Sequence, residues 1–276
     1  MPWLYDMFHT EKPIIGLLHL KALPGDPLFY KEGSTLNDVI CQAKSDLESL
    51  QAGGVDGVLI TNEFSIPYQK KVSAVTLAAM AYVVGALSEN FKIPYGVEAI
   101  YDPDATIEIC AATAAQFTRC MFTGVWAGDL GLVDRDIGKT IRLKSALRLD
   151  HLRLTYFING EGEACLGNRE FPDIAKTLLF NCQPDCLVVA GGMAGNKPSL
   201  SQLSQIKASA GDTPVFCGTG CNIENVNSVL SVVDGAYVGT TFKEGGKITG
   251  QIDAGRVSEF MKKVHEFRAS QHEKEG

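Results

Sequence analysis

The chain of 276 residues is short of positive charge: 25 Lys and Arg stand against 32 Asp and Glu, a net of -7. Nonspecific nucleic-acid binding relies on Lys and Arg to neutralise phosphates, so no nucleic-acid partner is expected. A phosphorylated small molecule needs only local positive potential and stays open. Long apolar runs are also missing. No segment reaches the ~20 apolar residues of a membrane-spanning helix, and 72–87 is broken by Ser73, Thr76 and Gly85. The opening Met1-Pro2-Trp3-Leu4-Tyr5-Asp6 lacks the basic start and apolar stretch of a secretory signal, so the expected location is the cytoplasm. No Gly-x4-Gly-Lys-Ser/Thr loop occurs, and no Gly-x-Gly-x-x-Gly follows the first apolar strand. A P-loop triphosphatase and a Rossmann domain therefore both lose their phosphate-binding words. Cys182-x3-Cys186 and Cys217-x3-Cys221 are not short zinc knuckles, so the eight cysteines read as free thiols.

What the chain does have is glycine, 28 in all, and strand-sized apolar runs along its whole length. The runs 14–19, 57–60, 95–99, 117–122, 153–157, 186–189, 215–217 and 236–238 are nearly continuously apolar, as parallel strands covered on both faces should be. Helical patterns lie between them. Leu36, Val39, Ile40, Ala43, Leu47 and Leu50 form one stripe, ended by Gly53-Gly54. Asp102 and Asp104 suit the start of a helix through Ala114, and Ser199 suits a cap for a helix that stops at Gly211. Val257, Phe260, Met261, Val264 and Phe267 give the last helix its apolar face. Strand–helix alternation implies right-handed crossovers and a parallel sheet. Eight such units predict an α/β fold, a single (β/α)8 TIM barrel over 1–276, with 1–12 as a lead-in and 269–276 as a frayed tail.

In such a barrel, chemistry sits where strands end and the following loops begin. The last two strands end in glycine turns, Gly218-Thr219-Gly220 and Gly239-Thr240-Thr241, and strand six ends in Gly191-Gly192. Glycines let backbone N–H groups approach an anion, and a following helix N-terminus adds partial positive charge, so these turns are the expected phosphate site. His19 is the histidine at a strand's C-terminal end, and imidazole titrates near neutrality. Glu63 and Glu98, at neighbouring strand ends, can act as acid and base or hold a divalent cation, or can form a buried ion pair with Arg119. Arg119 can bind a substrate carboxylate or phosphate, or neutralise Glu98. Asp129 lies in a glycine-flanked loop and reads as a lid or metal residue, or as a helix cap. No lysine falls at a strand end, which disfavours a Schiff-base aldolase. Lys21 and Lys243 lie in loops from which they can reach a phosphate.

Several words in the chain resemble the BtpA/SgcQ family of barrel proteins. They include His19-Leu20-Lys21-Ala22-Leu23-Pro24-Gly25-Asp26-Pro27, Asn62-Glu63-Phe64-Ser65-Ile66-Pro67-Tyr68 and Leu166-Gly167-Asn168-Arg169. The last two are similar to the SgcQ branch, which is associated with sugar-uptake and sugar-metabolism gene clusters. The resemblance implies a carbohydrate phosphate as substrate. Thr61 stands where many BtpA-like members carry an acidic residue. The expectation is a homo-oligomeric enzyme of carbohydrate metabolism, working as an isomerase, epimerase or lyase on a phosphorylated sugar or similar small metabolite. The alternatives are a phosphate-ester or glycosidic hydrolase with paired carboxylates, and a non-catalytic metabolite-binding or assembly factor.

Overall fold

The computed structural model describes residues 2–31, 34–191 and 197–275. The strands are β1 (Ile14–His19), β2 (Gly57–Thr61), β3 (Tyr95–Glu98), β4 (Phe117–Cys120), β5 (Val125–Gly128), β6 (Gly131–Asp134), β7 (Arg153–Phe157), β8 (Glu163–Cys165), β9 (Cys186–Val189), β10 (Val215–Cys217) and β11 (Gly235–Val238). Eight of them close into a parallel barrel in the order β1-β11-β10-β9-β7-β4-β3-β2. The helices are α1 (Pro2–Phe8), α2 (Pro27–Lys31), α3 (Leu36–Gly53), α4 (Ala74–Ala86), α5 (Pro103–Thr113), α6 (Ile137–Ala146), α7 (Phe171–Cys182), α8 (Leu200–Ser209), α9 (Val226–Leu230) and α10 (Ala254–Glu275). α10 carries helical backbone through Glu275, past the point where a frayed tail is expected from the sequence.

Local chemistry sets the helix boundaries. Thr35 and Asp38 form a reciprocal capping box at the start of α3, and Gly54, with φ of 88°, ends it in the left-handed region that glycine tolerates. Asp102 caps α5 and Ser199 caps α8, each accepting from a backbone N–H three residues on.

Along each barrel strand alternate residues turn inward. Ile15, Leu17, Leu59, Phe117, Val188, Phe216 and Tyr237 fill the barrel as an apolar plug. Leu4 and Phe8 of α1 join this plug from below, with the Phe8 ring edge-on to Phe117 at 5.6 Å. The alternate strand residues turn outward and pack between sheet and helices in a larger core. Since the lower barrel is filled and corked, only its upper end is open to a ligand.

The barrel closes where β1 pairs with β11, Ile14 opposite Ala236. α10 lies on α3 at this seam, and a Cβ on Gly53 would collide with the Val257 side chain. Arg268 of α10 clasps Asp56 at 2.6 Å and donates to the Lys12 carbonyl, while Asp56 accepts from the Ile14 N–H.

Between β3 and β4 the ladder has one register pair, Gly96 opposite Phe117. A Cβ on Gly96 would meet the Phe117 carbonyl oxygen, which is backbone and cannot step aside. Gly96→Ala is therefore expected to lower unfolding stability by about 1–3 kcal/mol through overpacking, read as a lower urea midpoint at unchanged m-value.

One element is not in the sequence-based plan. β5, β6 and β8 form a separate antiparallel sheet of three strands, in the order β6-β5-β8. It is built from the loops after β4 and β7 and packs through Trp126 and Val133 onto Met121. This sheet walls one side of the open end.

Candidate active site

His19 and Thr61 end β1 and β2, Glu98 ends β3, and Arg119 is the penultimate residue of β4. All four are buried. They form a polar layer directly above the apolar plug, at the face where the sequence places the chemistry.

Arg119 is the hub. Its Nε donates to Glu98 Oε2 at 3.0 Å, its Nη2 lies 2.9 Å from the same oxygen in an ion pair, and Nη1 donates to the Gly218 carbonyl at 3.4 Å. The guanidinium is sandwiched between Phe157 and Tyr237, 4.9 and 4.8 Å from their ring centres. Of the two sequence readings of Arg119, this geometry carries the pairing with Glu98. Burial pushes the Glu98 carboxyl up to about 7 against the pull of Arg119. A carboxyl there can give and take a proton near neutrality.

His19 is 6 % exposed, and neither Nδ1 nor Nε2 has a hydrogen-bond partner. Burial, helped by the nearby charges of Lys243 and Arg119, holds it well below the ordinary histidine range, so the imidazole is neutral at neutral pH. Its Nε2 lies 3.8 Å from Glu63 Oε2. Burial also raises the Glu63 carboxyl, and Tyr68 donates to the Glu63 carbonyl at 3.0 Å. Thr61 Oγ1 is buried with no partner.

Glu161, which the sequence analysis does not single out, belongs with these groups. Its carboxyl is raised by burial, and Oε1 is buried without a partner. The available signal was its place just beyond Asn159, whose side-chain amide is fixed by two bonds to the Ala190 backbone, at 2.9 and 3.0 Å. Asp129 does not join the cluster. It sits exposed at the turn between β5 and β6 and caps no helix; it lines a rim recess that shares Tyr68, Tyr101 and Glu161 with the chamber walled by Glu98.

The glycine turns converge as expected, with a different division of labour. Gly191 N–H donates to Thr219 Oγ1, and Thr241 Oγ1 donates to the Cys221 carbonyl, so the turns brace one another. Gly220 has φ of 70°, the left-handed region. Gly239 has an ordinary φ, and a Cβ there would stand 3.1–3.2 Å from the His19 ring and Leu17, so this glycine makes room for the imidazole. Gly192 lies outside the described residues.

The helix-dipole part of the sequence argument does not carry over. The segments after the two turns are α9, of 5 residues, and a 3-10 turn of 3 residues at Thr240–Phe242. An anion there would rely on backbone N–H groups and on Arg256, whose Nε donates to the Thr241 carbonyl. Lys243 is buried, with Nζ on the Ile248 carbonyl at 2.6 Å and over the Phe64 ring, and Lys21 lines neither chamber of the mouth.

Two adjoining chambers of about 320 Å³ each open from this layer. One is walled by Glu98, Tyr68, Tyr101 and Phe157. The other is walled by His19, Arg256 and the turns Gly218-Thr219-Gly220 and Gly239-Thr240-Thr241. Glu63, Arg119 and Glu161 line both. Among the described residues no three His, Cys, Asp or Glu are arranged to hold a metal ion, so the suggested divalent cation finds no ready ligand set. No described helix is long and apolar enough to cross a membrane.

A sequence profile of the BtpA family matches residues 10–266. The chain belongs to the BtpA family. Among family relatives, the sgc region protein SgcQ of Escherichia coli (strain K12) is 42% identical over 268 residues, covering 97% of this chain and 100% of that protein. The photosystem I biogenesis protein BtpA of Synechocystis sp. is 29% identical over 266 residues, covering 95% and 91%. The family fold extends to remote barrels. Phosphoribosyl anthranilate isomerase from Thermus thermophilus superposes with a TM-score of 0.56 at 11% identity, covering 92% of this chain and 98% of that one. At that identity the likeness concerns the fold alone.

Proposed function

We propose that this BtpA-family barrel is an enzyme of carbohydrate metabolism that moves a proton beside a carbonyl of a phosphorylated sugar or similar small metabolite, as an isomerase, epimerase or lyase does. The observation that carries the reading is the junction of the two chambers. Glu63 stands where a chamber of backbone turns and Arg256 meets a chamber of proton-active carboxyls. A phosphate seated against the turns would bring its carbon skeleton past Glu63.

In this reading Glu63 takes the proton next to the carbonyl. The neutral His19 beside it supplies a hydrogen bond to the oxygen on which charge develops, and a neutral imidazole does this without adding a proton to the balance. Glu98, poised at about 7, returns a proton. Hydrolysis by paired carboxylates is less well supported, because Glu98 is held on Arg119 and does not face Glu63 as a free second carboxylate.

The test combines binding and turnover. Sugar phosphates should raise the melting temperature of the full chain at saturating concentration, and at least one should lose its proton next to the carbonyl to solvent D2O, followed by NMR. Arg256→Ala should weaken phosphate binding about tenfold, the size of a hydrogen bond to a charged group. Gly239→Asp is a poor probe, since its side chain would run into His19. Stabilisation without exchange or turnover would mark a metabolite-binding protein. No stabilisation by any phosphate at millimolar concentration would overturn the phosphate reading.

A further inference from the structure

The carboxylate chamber has an unusual charge balance for a sugar pocket. Glu63, Glu98 and Glu161 all line it, and among the described residues its one lining cation is Arg119. That charge is already answered by Glu98 through a hydrogen bond and an ion pair. Lys243, the other nearby cation, is off the wall with its ammonium turned to the Ile248 carbonyl. Glu63 and Glu161 therefore face the cavity with no cation of the chain bonded to them on the cavity side.

Two further observations point to what belongs there. Tyr68, Tyr101 and Phe157 wall the same chamber, and aromatic faces attract cations. His19, more than nine-tenths buried and without a partner on either nitrogen, stands across the shared wall in the adjoining chamber, its Nε2 3.8 Å from Glu63. Glu161 Oε1 is buried without a hydrogen-bond partner, so an ammonium between the rings and Glu161 would meet an unanswered acceptor. A neutral hydroxyl would leave the surplus carboxylates either charged and unanswered or protonated.

We propose that the substrate carries a cationic nitrogen as well as its phosphate: an amino-sugar phosphate or a similar phosphorylated amine, with the ammonium held by Glu161 against the rings of Tyr68 and Tyr101 and Glu63 left free to act as the base. This rests on the phosphate reading above and narrows it. Glu161 and the rings choose the amine, the turns hold the ester, and the shared wall between the chambers joins the two ends of one small molecule.

Isothermal titration of the full chain tests this with matched pairs. The probes are 2-amino-2-deoxyhexose 6-phosphates of the gluco, galacto and manno series, the parent hexose 6-phosphates, the N-acetylated forms and inorganic phosphate. At least one amino compound should bind tenfold or more tightly than its hydroxyl partner, and N-acetylation should abolish that preference. In Glu161→Gln the preference should fall to within about threefold, while inorganic phosphate binds no more weakly than to the wild type. Equal or weaker binding of every amino compound, with phosphates still bound, would overturn the inference and leave the phosphate enzyme standing. A preference that survives in both Glu161→Gln and Glu161→Ala would remove the ammonium from this chamber. Failure of every phosphate to bind would remove both readings together.

Discussion

Replacing Glu98 by alanine should lower the unfolding free energy by about 3–5 kcal/mol, the cost of leaving one partner of a buried ion pair alone. The stranded partner would be Arg119, which is 6 % exposed and boxed between two rings. A guanidinium cannot shed its proton. The opposite change, Arg119→Met, should cost less, because Glu98 can become neutral and already titrates at about 7. The sign of the pH dependence follows. A carboxyl raised in the folded state contributes stability below its ordinary range, and that contribution is lost as pH rises through about 7. In Arg119→Met the pull that lowers Glu98 is gone, so its carboxyl rises further and the loss continues above pH 7, where the wild-type curve has levelled for this group. Urea unfolding of both proteins across pH 5–9 checks this. A variant curve parallel to the wild type would mean that Arg119 does not set the titration of Glu98.

The second large effect concerns activity. Glu63→Gln should slow solvent exchange into a bound sugar phosphate by about 10²–10⁴-fold, the range of a lost general base. Its stability should move the other way. Burial raises the Glu63 carboxyl, so keeping it ionised at pH 8 costs the folded state, and an amide removes that cost. The variant is therefore expected to melt at or above the wild-type temperature at pH 8 and still bind phosphate. A variant that melts lower and loses phosphate binding would make Glu63 a structural prop instead of a base. Gain in stability with loss of rate is the signature of an active group held against its own solvation.

Much of the barrel was legible because its strands are buried on both faces. The runs 14–19, 153–157, 186–189 and 215–217 coincide with β1, β7, β9 and β10. The side sheet was not legible. β5, β6 and β8 are three or four residues long and half exposed, so few of their residues carry an apolar signal. The polar layer was partly legible: position at strand ends picked out His19, Glu63, Glu98 and Arg119. It passed over Glu161, because nothing in a loop sequence says which of two acids folds back over the mouth. It picked out Asp129, because Gly128 and Gly131 read as a flexible loop when they flank a tight hairpin. Gly239 shows the same limit from another side. A glycine after a strand suggests an anion cradle, whereas the reason visible in space is the ring of His19, 220 positions earlier in the chain.

The seam between β1 and β11 has a consequence for the order in which the chain can be finished. A ribosome makes Ile14–His19 early, yet one edge of that strand has no neighbour until Gly235–Val238 emerges, and the clasp from Asp56 to Arg268 waits longer still. For most of synthesis the nascent protein is an open sheet with an unpaired apolar border, the kind of edge that invites wrong partners. A chain stopped before α10 would keep the polar layer of the mouth but not the latch that shuts the ring. Premature release between the end of β11 and the start of α10 should thus yield aggregates in place of a weakened enzyme.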